Sequence, residues 1–372
     1  MRILIDGRKL GDTGIGQYTL QLLRQLLELS DDHVYVPCFD ATALQELLGH
    51  PRLHAVAVTA PLFSLREQFM WRQLQRRFQP DLIHVPHFNI PWRTQVPVLC
   101  TLHDVIPLDY PQELSGPLAR QYYRWANRWA YRRSATVIVP SQATRSALVR
   151  HYGPPQTPVL VLPEAAAAHF DRRERLALWA RMQQRWPMLR QPYLLSVGLG
   201  KAHKRLDRSL QVIKIISQRQ PQQPLPLIHA GPLDSRRQPS LPGQAAALGI
   251  EALLTILGAV SVEEMQQLYA HALALLFASD IEGFGLPILE AMACGAPALG
   301  FDNDSNREVG GSAMLLAADE GDAAALLLRL REDAAFRADR VARGLAHARQ
   351  FSWQDHGAQC LQIYDRLLRA SR

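Results

Sequence analysis

The residues best suited to chemistry lie between Ser279 and Gly295, where Ser-Asp-Ile-Glu-Gly-Phe-Gly-Leu-Pro-Ile-Leu-Glu-Ala-Met-Ala-Cys-Gly follows the apolar run Leu273–Phe277. Two carboxylates, Glu282 and Glu290, stand here with seven residues between them. An ionised carboxylate only accepts hydrogen bonds, so the pair suits a ligand rich in hydroxyls. Gly283 and Gly285 allow the backbone close to a ligand, and proline near the first helical position costs the helix no hydrogen bond. A helix is therefore predicted to start at Leu286 or Pro287, with the amides of Gly283 and Gly285 directed at an anion. Spacing alone fits a capped surface helix equally well, with one acid before it and one exposed on it.

Other loops carry complementary chemistry. Ser196-Val-Gly-Leu-Gly-Lys-Ala-His-Lys-Arg-Leu places Gly198, Lys201, Lys204 and Arg205 just ahead of a helical pattern, where cations and free amides together make a diphosphate clamp, or else an ordinary solvated loop. Asp12-Thr-Gly-Ile-Gly-Gln-Tyr follows the first strand, but Gly11, Gly14 and Gly16 do not have the G-x-G-x-x-G spacing of a dinucleotide site. His103-Asp104 follows the run Val98–Leu102; a histidine there is often structural, and Asp104 can simply start a turn. In Gly258-Ala-Val-Ser-Val-Glu-Glu-Met, Ser261 and Glu264 have capping-box spacing beside Val260. Asp302-Asn-Asp304 has the look of a metal-binding pair, yet it falls after the strand at Ala298, and no metal is expected there.

These loops need strands and helices to hold them. β-rich runs at Ile3–Ile5, Val34–Val36, Ala55–Val58, Leu82–Val85, Val98–Leu102 and Thr136–Val139 alternate with helical patterns, which predicts a parallel, helix-covered sheet. After Gly16, Leu20, Leu23 and Leu27 form one stripe and Leu22, Leu26 and Leu29 another beside it, a face wide enough to pack on a sheet. A charged, proline-bounded stretch between Pro163 and Pro192 predicts an inter-domain region. A second α/β series follows from Tyr193 through Leu225–Ala230, Leu253–Leu257 and Leu273–Phe277 to Ala298 and Met314. Trp353, Leu361, Tyr364 and Leu368 then predict a docked amphipathic helix. The expected division is residues 1–165, an inter-domain region 166–191, a second domain 192–350 and a terminal helix 351–372. Ligands of such α/β domains bind at the carboxyl ends of the strands.

Composition sets the outer bounds. A chain of 372 residues is long for one core, and 48% hydrophobic with 20% charged residues is ordinary for a globular protein. Cys38, Cys100, Cys294 and Cys360 form no CxxC pair, which speaks against a zinc site or disulfide framework. The opening Met-Arg-Ile-Leu-Ile-Asp is too short in apolar residues for a signal-peptide core, and no stretch approaches the roughly 18 apolar residues of a membrane span. A cytoplasmic location is expected. The net charge of +7 favours anionic partners, although no nucleic-acid module is recognisable. The arginine- and aromatic-rich segments Arg66–Phe78 and Arg120–Arg133 suit a peripheral contact with an anionic membrane, or packing on the sheet and cleft.

Glu282 and Glu290 in their glycine-rich frame resemble the paired glutamates of the family-four retaining glycosyltransferases, in particular the mannosyltransferase-like members. The resemblance runs along nearly the whole chain. It implies an α/β fold of the GT-B type: two facing Rossmann-like domains, the first on the acceptor side, the second holding the nucleotide sugar, and a C-terminal helix crossing back to the first. The implied activity is metal-independent, cofactor-free transfer of a sugar, with mannose from GDP-mannose the best expectation, to a hydroxyl of a glycan or lipid-linked acceptor. By the same resemblance, Gly14 and Gly16 lie beside the donor phosphates and His103 approaches the donor sugar, with Asp104 on the acceptor side. Lys204 holds the pyrophosphate, Val260 borders the base, Glu282 holds sugar hydroxyls and Glu290 the ribose. Gly198, Lys201, Arg205, Gly283, Phe284, Gly285 and Leu286 complete the donor site. Leu199 occupies the position of the family's usual arginine, which leaves open the cation for the second phosphate. Two other readings share this architecture: a nucleotide-sugar epimerase and a non-catalytic nucleotide-sugar-binding protein. Hydrolysis by two carboxylates fits poorly, since it needs carboxyls about 5 to 5.5 Å apart across the bond.

Overall fold

Short, fully apolar strands such as Leu82–Val85 and Ala274–Phe277 cannot leave either face in water, and the chain satisfies them by parallel pairing under helices. The computed structural model describes residues 1–234 and 240–371. The chain divides into two units, one of residues Met1–Glu164 together with Ser352 onward, the other of Ala165–Phe351.

In the first unit the strands are β1 (Arg2–Ile5), β2 (His33–Cys38), β3 (Leu53–Ala57), β4 (Leu82–Val85), β5 (Val98–Thr101), β6 (Thr136–Val139) and β7 (Val159–Val161). They form one sheet in the order β3-β2-β1-β4-β5-β6-β7, all parallel. The helices are α1 (Thr13–Leu29), α2 (Leu65–Phe78), the single turn α3 (Ile106–Asp109), α4 (Pro117–Arg133) and α5 (Gln142–Tyr152). Leu4, Ile83, Val85, Cys100, Val137 and Val139 pack with Trp71, Leu74, Tyr131 and Leu148 from α2, α4 and α5. Ile3 and Ile5, on the opposite face by strand alternation, are equally buried.

The second unit carries β8 (Leu194–Val197), β9 (Leu227–Ala230), β10 (Leu254–Gly258), β11 (Ala274–Phe277), β12 (Ala298–Phe301) and β13 (Leu315–Ala317), in the order β10-β9-β8-β11-β12-β13, again parallel. Its helices are α6 (Leu176–Arg185), α7 (Leu206–Arg219), α8 (Leu241–Ala247), α9 (Val262–His271), α10 (Leu286–Ala293), α11 (Asp304–Gly310), α12 (Glu320–Glu332) and α13 (Ala334–Ala348). Neighbouring strand residues part into two clusters: Leu194, Leu227, Leu276 and Leu299 join α7, α8 and α12, while Leu195, Ile228, Leu275 and Ala298 join α6, α9 and α10. This is the period-two signature of a sheet with helices on both faces.

The chain then returns to the first unit with α14 (Trp353–Ser371), which lies along α1 and buries Cys360, Ile363 and Tyr364. A buried polar chain fixes it. His356 Nδ1 is 3.0 Å from the Pro163 carbonyl, which can only accept, so this nitrogen carries the proton and Nε2 accepts from the Tyr18 hydroxyl at 3.2 Å. Burial lowers the pKa of His356, so the neutral form that this arrangement requires is the favoured one. Tyr18 then accepts from Thr101 (3.0 Å), Thr101 from His84 Nε2 (2.8 Å), and His84 Nδ1 from Tyr364 (2.7 Å). Every member has one direction it can take, and the directions agree.

Three boundaries differ from the sequence pattern. The helix expected after Gly16 begins at Thr13, so Gly14 and Gly16 form its first turn rather than a loop. The third strand spans Leu53–Ala57 instead of Ala55–Val58, because its register is set by pairing along β2. Residues 166–191, expected between the domains, belong to the second unit: Met182 and Leu189 are buried in its core and Trp179 stacks on His271 at 4.0 Å. Among the described residues no helix is long and apolar enough to cross a membrane.

Candidate active site

In the second unit the loops after β8 and β11 meet at the carboxyl edge of the sheet, where these two strands are neighbours. Lys204 Nζ lies 2.6 Å from Glu282 Oε1, joining residues 78 positions apart, with both side chains largely withdrawn from solvent. Lys204 also lies 5.3 Å from the centre of the Phe277 ring. Ser305, in the first turn of α11, accepts from the Glu282 amide (3.3 Å) and donates to its carbonyl (3.0 Å), which fixes the Glu282 backbone. Asn303 caps α11 and donates to the Ser279 carbonyl at 2.9 Å, holding the start of the same loop.

The glycine-rich segment turns as its sequence predicts. Gly285 has φ +106°, a left-handed conformation that a side chain resists, and α10 starts at Leu286 with no side-chain cap on its first amides. Phe284 is buried in the core behind the loop. Glu290 is partly buried, one turn into α10, and accepts from the Tyr269 hydroxyl at 2.9 Å. Burial pushes its carboxyl pKa up to about 7, against the lowering effect of that hydrogen bond.

Arg205 takes a left-handed φ of +45° and bonds Asp207 and Asp280, the latter at 2.9 Å. Its charge is thereby already balanced. Arg208 pairs with Glu320 at 2.5 Å and lies over the Phe301 ring. Lys201 stands just before the short turn Ala202–Lys204, the Lys204 side chain lies beside Gly198, and Leu199 is 39% exposed. Val260 packs at the edge of the core, and Ser261 and Glu264 form the reciprocal capping box of α9. Asp302 and Asp304 both pair with Arg307 on exposed surface.

In the first unit, His103 follows β5 and its Nδ1 is 2.9 Å from Glu164 Oε1, which directs the Nδ1 proton at the carboxylate. The Tyr18 ring meets the imidazole edge-on at 4.7 Å, and Nε2 is left buried without a protein partner. Asp104 accepts from the Ile106 amide at 3.0 Å and so starts α3. A Cβ on Gly16 would come within 2.3 Å of the Leu10 carbonyl oxygen, so packing demands glycine there; one on Gly14 would meet nothing within 4 Å.

Two family descriptions divide the chain between them: Glycosyltransferase Family 4 matches residues 13–166 and Glycosyl transferases group 1 matches residues 181–339. The chain is a glycosyltransferase of the family-four type, with the GT-B fold. The transferase is 29% identical over 375 residues to the O-antigen chain mannosyltransferase B of Escherichia coli, covering 95% of this chain and 96% of that one. In fold it is similar to a sucrose-phosphate synthase from Thermosynechococcus elongatus, with a TM-score of 0.77 at 18% identity and complete coverage of both chains. It is also similar to Anabaena HepE in complex with UDP and glucose, with a TM-score of 0.75 at 19% identity over 98% of this chain and 100% of that one.

Several polar residues of the transferase escaped the motif reading. Glu164 orients His103 from 61 positions away, and its only local sign is a carboxylate directly after a strand and a proline. Asp6 and Arg8, at the end of β1, form a fully buried ion pair at 2.6 Å, extended by Glu67 on Arg8 (2.6 Å) and His87 on Asp6 (2.8 Å). Burial pushes the Asp6 carboxyl up, but Arg8 and His87 outweigh it and hold the pKa well below the usual range. Asn89 links Glu67 to the Tyr122 hydroxyl. Acids, bases and histidines immediately beyond β1 and β4 are the signal that points to this network, by the rule that strand ends hold the chemistry.

Proposed function

We propose that the transferase moves mannose from GDP-mannose to a hydroxyl of a glycan or lipid-linked acceptor, with retention at the anomeric carbon and without a metal. The observation that carries the donor site is the Lys204–Glu282 pair set beside the uncapped start of α10. The choice of mannose rests on the kinship with a mannosyltransferase over 95% of the chain.

Lys204 and the amides at Leu286 receive the diphosphate, offsetting the charge that develops as the bond from the anomeric carbon to phosphate oxygen breaks. The acceptor oxygen takes its place, the acceptor's hydroxyl proton passes to the departing phosphate oxygen, and GDP leaves. Glu282, fixed by Ser305, holds sugar hydroxyls, and Glu290 in its ionised form accepts from the ribose. His103, with its Nδ1 proton committed to Glu164, offers the Nε2 lone pair to a donor-sugar hydroxyl. A Cβ on Gly14 would meet nothing within 4 Å, which leaves open space there for the donor phosphates. Arg205, already balanced by two carboxylates, is a poor replacement for the arginine absent at Leu199. The four buried thiols fit work in the cytoplasm.

The test is GDP release from a panel of nucleotide sugars with mannose-containing acceptors, and the anomeric configuration of the product by proton NMR. Lys204→Ala is expected to lower kcat/KM by about 10²- to 10³-fold, as removal of a charge-stabilising donor does, and Glu282→Ala to lower it comparably. Full activity in both variants, an inverted linkage, or a preference for UDP-sugars would each overturn the corresponding part of the reading.

A further inference from the structure

Among the described residues, Phe63, Gln79 and Arg205 take a positive φ without being glycine. Gln79 closes α2, where a left-handed residue commonly ends a helix, and Arg205 belongs to the donor loop. Phe63, at φ +63°, does neither, and a bulky side chain resists this conformation. Its backbone is nevertheless fastened firmly. The Phe63 amide donates to Glu67 Oε2 at 2.9 Å, and the next residue, Ser64, caps α2 while donating to the Pro61 carbonyl at 2.7 Å. The ring does not staple the helix, because Gln68, the residue a staple would meet, is polar and accepts from the Trp92 amide. Backbone strain held this way clusters at ligand sites.

The surroundings of Phe63 combine aromatic rings with polar groups. Phe63 is 49% exposed, lies nearly parallel to Phe88 with 5.8 Å between ring centres, and meets Tyr122 edge-on at 5.4 Å. Phe88 and Tyr122 are half-buried, so the three rings make a partly open shelf. The Tyr122 hydroxyl donates to Asn89 at 2.6 Å, Asn89 donates to Glu67, and Glu67 pairs with Arg8. Arg8 Nη1, buried in this network, has no hydrogen-bond partner among the described residues. The shelf also shares the carboxyl edge of the sheet with His103. Phe88 follows β4 and His103 follows β5, two strands that pair directly, and Phe88 meets Tyr123, whose hydroxyl reaches the Asp104 carbonyl at 3.5 Å.

We propose that Phe63, Phe88 and Tyr122 form a subsite for the acceptor, and that it reads the acceptor as a pyranose ring stacked on Phe63. This rests on the reading of the chain as a transferase to a glycan hydroxyl, and adds which part of the acceptor is recognised. A pyranose has a face of C–H bonds and a rim of hydroxyls. The C–H face suits the negative face of an aromatic ring, and the rim has the Tyr122 hydroxyl and the unspent Arg8 donor in the adjoining network. A few polar groups beside aromatic walls are the usual makeup of a small-molecule site. A phosphate is a poorer occupant, because the charge of Arg8 is already balanced by Asp6 and Glu67. An acyl chain is poorer too, since it would leave those polar groups without partners. The Phe63 ring thus selects a cyclic sugar over an open-chain polyol.

The test is saturation-transfer-difference NMR on the full chain without donor, using methyl α-mannotrioside and chitotriose as pyranose probes and sorbitol as a ring-free polyol. At least one trisaccharide is expected to receive saturation, concentrated on the ring C–H protons of one sugar, and sorbitol none. Phe63→Gly removes the ring and suits the left-handed backbone, so the variant should stay folded by circular dichroism and melting temperature while its affinity for that trisaccharide falls about tenfold. Phe63→Trp, which keeps a stacking face, should retain binding. In turnover with GDP-mannose, Phe63→Gly should raise the KM for the acceptor and not that for the donor. No saturation of either trisaccharide, equal saturation of sorbitol, or parent-like affinity in folded Phe63→Gly would overturn the proposal. The binding measurement contains no nucleotide sugar, so a failure of GDP-mannose to turn over strikes the donor reading alone, and the saccharide titration still decides the subsite.

Discussion

Glu290 places the sharpest single-residue demand on the site, because a carboxyl raised to about 7 is only partly ionised at neutral pH. As an acceptor for ribose hydroxyls it must be ionised. GDP binding is therefore expected to tighten as pH rises from 6 to 8 through this value, and Glu290→Gln to flatten the dependence, both measured by titration calorimetry. Folding responds in the opposite sense. The raised pKa means the native state holds a proton that the unfolded chain has released, so the stability it contributes is full below the unfolded value near 4.5 and is lost as pH rises through about 7. Glu290→Gln should accordingly melt higher than the parent at pH 8. The residue itself was legible from its frame with Glu282; the Tyr269 hydroxyl and the burial that shift it were not, since Tyr269 lies 21 positions away on another helix.

At the scale of elements, the docking of α14 against α1 depends on a polar chain as much as on apolar burial. Tyr18 is its middle link, donating to His356 and accepting from Thr101. Tyr18→Phe is expected to cost about 1–3 kcal/mol, the penalty of leaving buried partners unsatisfied, read as a shift in denaturant midpoint. The ring that meets His103 edge-on is retained in this variant, so His103 should keep its position. Periodicity predicted an amphipathic terminal helix correctly in kind, from Trp353, Leu361, Tyr364 and Leu368. It could not predict the buried hydroxyl of Tyr364 on His84, since a hydrogen bond spanning 280 positions has no local signature. The early start of α1 at Thr13 sets Gly16 against the Leu10 carbonyl, a close approach that a Cβ would block and that periodicity does not show.

For the whole molecule, acid should weaken the unit built from the two ends of the chain. His84 is buried and its pKa is lowered to about 3 by burial, with the nearby His356 and His103 adding to the effect; burial also lowers His87 and His356. Each is neutral when native and protonates more readily when unfolded, so stability rises with pH between about 3 and 6.5. The melting temperature is expected to fall steadily from pH 7 to pH 4, and His84→Asn, which keeps polar capacity without the titration, to reduce that slope in differential scanning calorimetry.

The amino-acid sequence by itself determined the two α/β series, the start of α10 at Leu286 and the capping box of α9, because periodicity, turn chemistry and capping act within a few residues. It also marked Lys204 and Glu282 as separate candidates. Only the tertiary structure decided that these two meet at 2.6 Å, that Glu164 orients His103, that Arg205 is spent on Asp207 and Asp280, and that residues 166–191 pack with the second unit. Each of those facts is a pairing across a parallel sheet or between distant loops. Which partners meet is set by strand order and helix packing, whose cost and reward are paid by the assembled core and leave no pattern in the local sequence.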